Sequence, residues 1–560
     1  MDAQDATARV TAPQCPALYS RLRAASLVPT VSGAKCLSAI PHPTDGKPTI
    51  LGHPRGLFVL FFTEMWERFS YYGMRAILVF YLTKHFLLGD QPAFAIYGAY
   101  TALVYITPVI GGMIADRYLG ARKAVLAGGV FIAFGHLLIA LVEGPQAQQG
   151  GYLTGFYLAL ASIIVGTGFL KGNISVLVGQ LYARDDVRRD PGFSIFYMGI
   201  NAGAWMGPIL VGYLGETVGW GWGFGAAGVG MLLGLVAFVA FSREFHGAGE
   251  PPSQAVLRAP VFAGVSREWA TYLAAALAVL AIGWLIQYQR AVGALLVAFA
   301  AVIFFYILYR ALRTLPKVER HRVFAALYLI ALCPLFWALF EQQGSSLNVF
   351  TDRSVDRVYF GWEAPASWFQ SVNSTFIILL APAFAGLWTW LNRRDMEPSA
   401  AFKFGIGLIL VGAGFFVVIL GAGSGRDGLT PAMVVIMLYF FHSCAELCFS
   451  PIGLSSMTRL SIPSMTGLMM GAWFLAMAAG NFIAGLIAQA TGAEGAGVAG
   501  MLDVYGKIGW FAIGIGVLAL VAAPFVTKLM HLDTLGGPEP DSTPASDVGL
   551  APGTKLGEVR

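Results

Sequence analysis

Apolar residues run along this chain in blocks long enough to cross a lipid bilayer, with polar residues gathered between the blocks. About 20 consecutive apolar residues make a helix that spans the hydrocarbon layer. Windows of this kind start at Leu57, Phe94, Ala121, Gly151, Phe193 and Trp222. Two more fill 269–287 and 292–308, and a last set starts at Arg322, Ser367, Phe402, Pro431, Thr466 and Val504. The pattern predicts an all-α polytopic membrane protein of fourteen helices in the order six, two, six. It divides the chain into a six-helix bundle over 55–243, a linker with two extra helices over 244–320 and a second six-helix bundle over 321–531. The flanks, 1–54 and 532–560, are rich in Ala, Ser, Pro, Gly and Asp and are expected to be disordered cytoplasmic tails. The first of them has no apolar core long enough for a signal peptide.

Composition and charge sharpen this picture. Charged residues are 12% of the chain, where a soluble domain carries about 25%. The 68 glycines suit helices that pack closely in lipid. The net charge of +5 does not suggest nucleic-acid binding, because Lys and Arg sit in short loops beside the spans. Alternate loops hold Arg117, Arg122 and Lys123; Arg184, Arg188 and Arg189; Arg243; Arg310, Arg313, Lys317 and Arg320; Arg393 and Arg394; Arg459; and Lys528. The opposite loops hold few, such as Lys84 and Arg426. The rich side is cytoplasmic by the positive-inside rule, which puts both termini inside. Five scattered Cys do not make a disulfide framework, and Cys333, Cys444 and Cys448 are expected to be small core side chains.

Two six-helix halves suggest the major facilitator fold, in which substrate sits near the midplane and the halves rock about it. The run from Gly111 to Lys123 resembles the loop after the second helix of that superfamily. Its Asp116, Arg117 and Arg122 are candidate latches for a cytoplasmic gate. Charges inside the spans locate the site, since each costs at least about 2.5–3.5 kcal/mol at the bilayer centre. The first span carries Glu64, Glu67, Arg68, Tyr71, Tyr72 and Arg75 at helical i, i+3, i+4 spacing, which forms one polar stripe. Such a stripe must line a cavity or pair with other helices; a static ion-pair network is the plain alternative. Clustered carboxylates favour proton binding and a neighbouring Arg opposes it, so moving the Arg can switch a Glu. Other spans add Tyr105, Lys171, Asn201, Glu341, Asn373 and Glu446. For each Asn an interhelical hydrogen bond is as good a reading as ligand contact. His136 and His442 read as packed or interfacial. No metal-ligand spacing and no nucleophile with a partner base stand out.

Glu64-x-x-Glu67-Arg68-Phe69-x-Tyr71-Tyr72-Gly73 resembles the proton-coupling motif of the proton-dependent oligopeptide transporter family. Residues 111–135 and 193–204 resemble that family's two signatures, and 450–455 and 471–475 its later helix motifs. The similarity runs from Leu57 to Lys528, with the two extra helices resembling an insertion of bacterial members. It implies a symporter in the bacterial inner membrane that imports di- and tripeptides with protons by alternating access and needs no cofactor beyond the coupling proton. It further implies that Glu64, Glu67, Arg68 and Glu341 couple the proton. Arg75 and Lys171, with Tyr71 and Tyr72, would meet the peptide carboxylate, and Glu341 the peptide ammonium. Tyr105, Asn201, Asn373 and Glu446 would assist, with Trp337 and Trp473 as pocket walls. Protonation of Glu64, Glu67 or Glu341 would loosen ion pairs with Arg68 and Lys171. Membrane lipids are the expected surroundings. The chain departs from the family pattern at Trp205, at Ser374 after Asn373, and at Gly98, where animal members have a His. A carrier of another zwitterionic or anionic solute, an intramembrane enzyme and a passive channel are the rival readings.

Overall fold

The computed structural model describes residues 46–143, 150–183, 186–462, 465–492 and 497–532. The expected tails over 1–45 and 533–560, and Arg184, lie outside the described residues. Fourteen helices of 19–34 residues account for most of the rest. The first six are α1 (Arg55–Phe80), α2 (Asp90–Ile114), α3 (Ala121–Val142), α4 (Gly150–Gln180), α5 (Arg189–Tyr213) and α6 (Trp220–Ala240). The inserted pair is α7 (Arg267–Leu285) and α8 (Gln289–Thr314). The last six are α9 (Lys317–Phe340), α10 (Gln370–Asn392), α11 (Ala400–Gly421), α12 (Ala432–Leu460), α13 (Thr466–Thr491) and α14 (Gly497–Met530).

Twelve stretches are long and apolar enough to cross a membrane, and one of them, Asp90–Leu141, holds both α2 and α3. Helix α1, which carries Glu64, Glu67, Arg68 and Arg75 along its length, is not among them. Those four charges are buried instead, which only a neighbouring protein surface can permit.

Small residues set the helix pairings. Gly199, Gly203 and Gly207 recur every fourth position on α5 and lie against Phe61, Met65 and Phe69 of α1. A Cβ at Gly203 would stand 2.2 Å from the Met65 carbonyl oxygen, so the backbones themselves touch. Gly128 of α3 meets Gly166 of α4 in the same way, and Gly405 and Gly412 of α11 meet Gly516 and Gly509 of α14. The inserted helices pack on different halves: Gly283 of α7 faces Leu158 of α4, and Gly293 of α8 faces Phe482 of α13.

Chain ends and loops give the molecule two faces. The face at which α1 begins and α14 ends is the terminal face. There Gly120 (φ 74°), a conformation glycine adopts freely, closes the α2–α3 connection. Residues 46–54, expected to belong to a disordered tail, form a short hairpin on this face. His53 Nδ1 lies 2.8 Å from the Tyr182 hydroxyl, and Arg188 donates to the Gly52 carbonyl at 3.1 Å.

At the opposite face the two halves meet. Gly98 of α2 crosses Gly485 of α13 so closely that a Cβ on Gly98 would lie 2.8 Å from the Gly485 Cα. Arg353 makes two 2.7 Å bonds to Asp90, and Lys84 pairs with Asp352 at 2.8 Å. Asn348 donates to the Ala76 carbonyl, Trp368 to Ile209 and Ser371 to Trp205. The Glu216 carboxylate accepts from the amides of Ala366 and Ser367.

Candidate functional site

The site is built first by α1. Its helical spacing places Glu64, Glu67, Arg68, Tyr71 and Arg75 toward neighbouring helices, and all five are buried. The Arg68 Nε lies 3.1 Å from Glu64 Oε1 and also forms an ion pair with Glu67, so one guanidinium serves two carboxylates. Glu64 Oε2 and Glu67 Oε1 have no hydrogen-bond donor among the described residues. The Arg68 guanidinium lies 5.5 Å from the Tyr71 ring, and that of Arg75 5.6 Å from the Tyr72 ring.

The second half contributes through a break in a helix. α9 carries Pro334 and ends at Phe340, and the chain tightens into a turn at Glu341–Gly344 before a short helix at Ser346–Ser354. A polar run, Glu-Gln-Gln-Gly-Ser-Ser, breaks the apolar pattern there. It is wholly buried and finds its partners both within the run and on neighbouring helices. Gln342 donates to the carbonyls of Ala338 and Ala484, Ser346 donates to Gln342, and Tyr505 donates to Ser346. Glu341 is thereby held at the seam, where its carboxylate meets Arg75 at 2.7 Å. This ion pair joins the two halves across the centre of the molecule.

A cavity opens around that pair. Its walls include Tyr72, Arg75, Tyr105 and Asn201 from the first half and Trp337, Glu341, Asn373 and Glu446 from the second. Asn373 donates to Ser443 at 3.0 Å and to Glu446 at 3.3 Å, while Asn201 bonds its own helix at the Tyr197 carbonyl. Lys171 lies 3.8 Å from the centre of the Tyr105 ring. Sequence reasoning did not single out Tyr197, Gln343, Gln370 or Ser374 as lining residues. Tyr197 had a usable signal: it lies one turn before Asn201 in the same polar stretch.

Two expectations are corrected. Glu341 pairs with Arg75 rather than with Lys171. The turn that ends α9 brings its carboxylate to α1, while the Lys171 ammonium on α4 rests on an aromatic face. Trp473 does not line this cavity. It is 3% exposed and packs on Gly453, Phe404 and Phe449 in the core of the second half.

Outside the cavity, Arg122 pairs with Glu250 at 2.9 Å, and its amide donates to the Gly249 carbonyl. The α2–α3 loop is thus tied to the segment after α6, while Asp116 and Arg117 are exposed. In the second half Glu397 takes a 2.6 Å bond from Lys403 between α10 and α11, and that bond holds its carboxyl below the usual carboxylate range. His136 bonds Ser70 at 2.9 Å and His442 the Val411 carbonyl at 3.2 Å, both fully buried. Among the described residues no group of three or more His, Cys, Asp or Glu could hold a metal ion. Gly98, at the crossing with Gly485, has no room for a side chain in this arrangement.

A sequence model described as the POT family matches residues 122–502. The chain belongs to the POT family. It is 38% identical over 464 residues to the peptide transporter YePEPT of Yersinia enterocolitica, covering 79% of this chain and 89% of that one. It is 35% identical over 504 residues to the di-/tripeptide transporter of Lactococcus lactis subsp. cremoris, covering 86% and 97%. A crystal structure of a mutant peptide transporter POT in complex with alafosfalin superposes with a TM-score of 0.74 at 36% identity, covering 88% of this chain and 98% of that one. The expected all-α major facilitator fold is therefore the fold of this POT family member, and the protein is a transporter rather than an enzyme.

Proposed function

We propose that this POT family protein imports di- and tripeptides with protons across a bacterial inner membrane, with its terminal face in the cytoplasm. Fourteen spans with both termini inside agree with the basic loops of that face. The observation that carries the reading is the buried Arg75–Glu341 pair at the centre of the seam. A buried cation and a buried anion, one on each half, are the two charges that a zwitterion can replace. A peptide whose carboxylate takes Arg75 and whose ammonium takes Glu341 exchanges one internal ion pair for two bonds to substrate. Neither charge is then left alone, which would cost about 3–5 kcal/mol. Lys171 supplies a second cation for the carboxylate, and Glu446 with Asn373 a second acceptor for the ammonium. The aromatic rings between them are indifferent to side-chain identity, which suits variable peptides. The relatives named as peptide transporters support the same reading.

The coupling proton is taken by the α1 carboxylates. Glu64 and Glu67 share Arg68, and each has an oxygen with no donor. Proton entry weakens their hold on Arg68, and proton loss restores it. The bonded opposite face makes this the state open toward the cytoplasm. Lipids surround the molecule, and the coupling proton takes the place of any cofactor.

Binding of dialanine to the purified protein tests the clamp when compared with dialanine capped at one end. Acetylating the amine or amidating the carboxylate leaves Glu341 or Arg75 unpaired. Each cap is expected to weaken binding by more than about tenfold, since an unpaired buried charge costs well over 1.4 kcal/mol. Equal affinity for capped and free peptide would remove the clamp.

A further inference from the structure

A second cavity lies away from the polar one at the seam. A groove of about 430 Å³ runs between α2, α4 and the inserted helix α7. Phe169 of α4 is buried in its floor, and Ile110 and Ile114 of α2 face Ala274, Ala278 and Ile282 of α7 across it. From Ala270 to Ile282 the α7 wall rises through 12 residue steps, or about 18 Å at 1.5 Å per residue. Half of a hydrocarbon core of about 30 Å is about 15 Å. The groove is therefore as deep as one leaflet, starting at the terminal face and ending near the midplane.

Its mouth is cationic. The guanidiniums of Arg267 and Arg117 lie 5.3 Å and 5.5 Å from the same Tyr118 ring. Among the described residues neither has an ion-pair partner. The carboxylate next to Arg267, Glu268, is taken by Lys123. Arg267 makes one 3.2 Å bond to the Val256 carbonyl and keeps its other donors free of side-chain acceptors. Trp269 beside it is 68% exposed, as an aromatic ring at the lipid headgroup level is.

We propose that this groove is a binding site for one anionic phospholipid, with an acyl chain along α7 and the phosphate on Arg267 and Arg117. Two cations without counter-charges sit at headgroup depth above an apolar slot of one leaflet's length. That combination matches a negatively charged headgroup better than a zwitterionic one, which would bring its own cation to the mouth. The lipid would fill the space between the inserted pair and the first half, so the insertion supplies one wall of a lipid site. The proposal does not depend on which solute the carrier moves.

The full chain would be reconstituted in nanodiscs of equal parts phosphatidylglycerol and phosphatidylcholine, released into mild detergent, and examined by native mass spectrometry. One retained phosphatidylglycerol per chain is expected, in preference to phosphatidylcholine. Arg267→Gln should lower that occupancy about fivefold, the worth of one basic residue at an anionic surface. Ala274→Phe, on the exposed side of α7, should displace the lipid by filling the slot while Arg267 remains. A monodisperse size-exclusion profile checks that each variant is folded. Equal retention of the two lipids, or unchanged phosphatidylglycerol in both variants, would overturn the proposal.

Discussion

At the scale of single residues, the account rests on which charges face each other. The stripe on α1 was legible because helical periodicity fixes which side chains share a face. Burial of Glu64, Glu67, Arg68 and Arg75 follows from the same reasoning, since charges on a lipid-facing stripe are too costly. The partner of Arg75 was not legible. Glu341 is 266 positions away, and periodicity within one helix says nothing about which helix lies opposite. Trp473 was misplaced for a related reason: an aromatic near a motif reads alike whether it lines a cavity or fills the core. Because Glu64 and Glu67 share one guanidinium, Glu64→Gln removes the carboxylate proposed to take the proton but keeps the shape. That variant is expected to lose proton-driven accumulation while still exchanging peptide across the membrane, as measured by counterflow of labelled dialanine. Full accumulation by Glu64→Gln would contradict the assigned role.

At the scale of elements, several helix starts were readable to within two residues, while the window expected at Val504 belongs to a helix that begins seven residues earlier, at Gly497. The apolar windows began at Leu57, Ala121 and Thr466, and the helices begin at Arg55, Ala121 and Thr466. The break after Phe340 was not readable as a break. Its polar run could equally have been one face of a continuous helix, and only the buried partners from α13 and α14 show why it tightens there. Glycines act at two kinds of crossing. Gly203 lies inside one half, where a side chain would collide with the α1 backbone. Gly98 lies between the halves, where the crossing must open and close. Gly203→Leu is expected to abolish folded protein. Gly98→Leu is expected to give folded protein, by size-exclusion chromatography, with no peptide uptake. Uptake by Gly98→Leu at the wild-type rate would show that this crossing does not need to close.

At the scale of the whole molecule, the halves are bonded at one face and separated by the cavity, which is one end of a rocking cycle. The ion pairs Asp90–Arg353 and Lys84–Asp352 are partly exposed, so each contributes about 0.2–1 kcal/mol to keeping that face shut. Replacing both Asp90 and Asp352 by Asn should raise the population open at that face several-fold. Distances between spin labels on the two halves would show it, and an unchanged distribution would mean that the apolar seam alone holds the face closed. Nothing in the linear pattern indicates which face is shut, because both arrangements bury the same stripes.

The central claim is proton-driven peptide import, and uptake of labelled dialanine by the purified protein in liposomes tests it most directly. With an inward proton gradient and a negative interior, each charge carried inward gains about 2.3 kcal/mol per 100 mV. The account predicts accumulation above equilibrium that a protonophore abolishes. Equilibration without accumulation, or no uptake by folded protein, would contradict it.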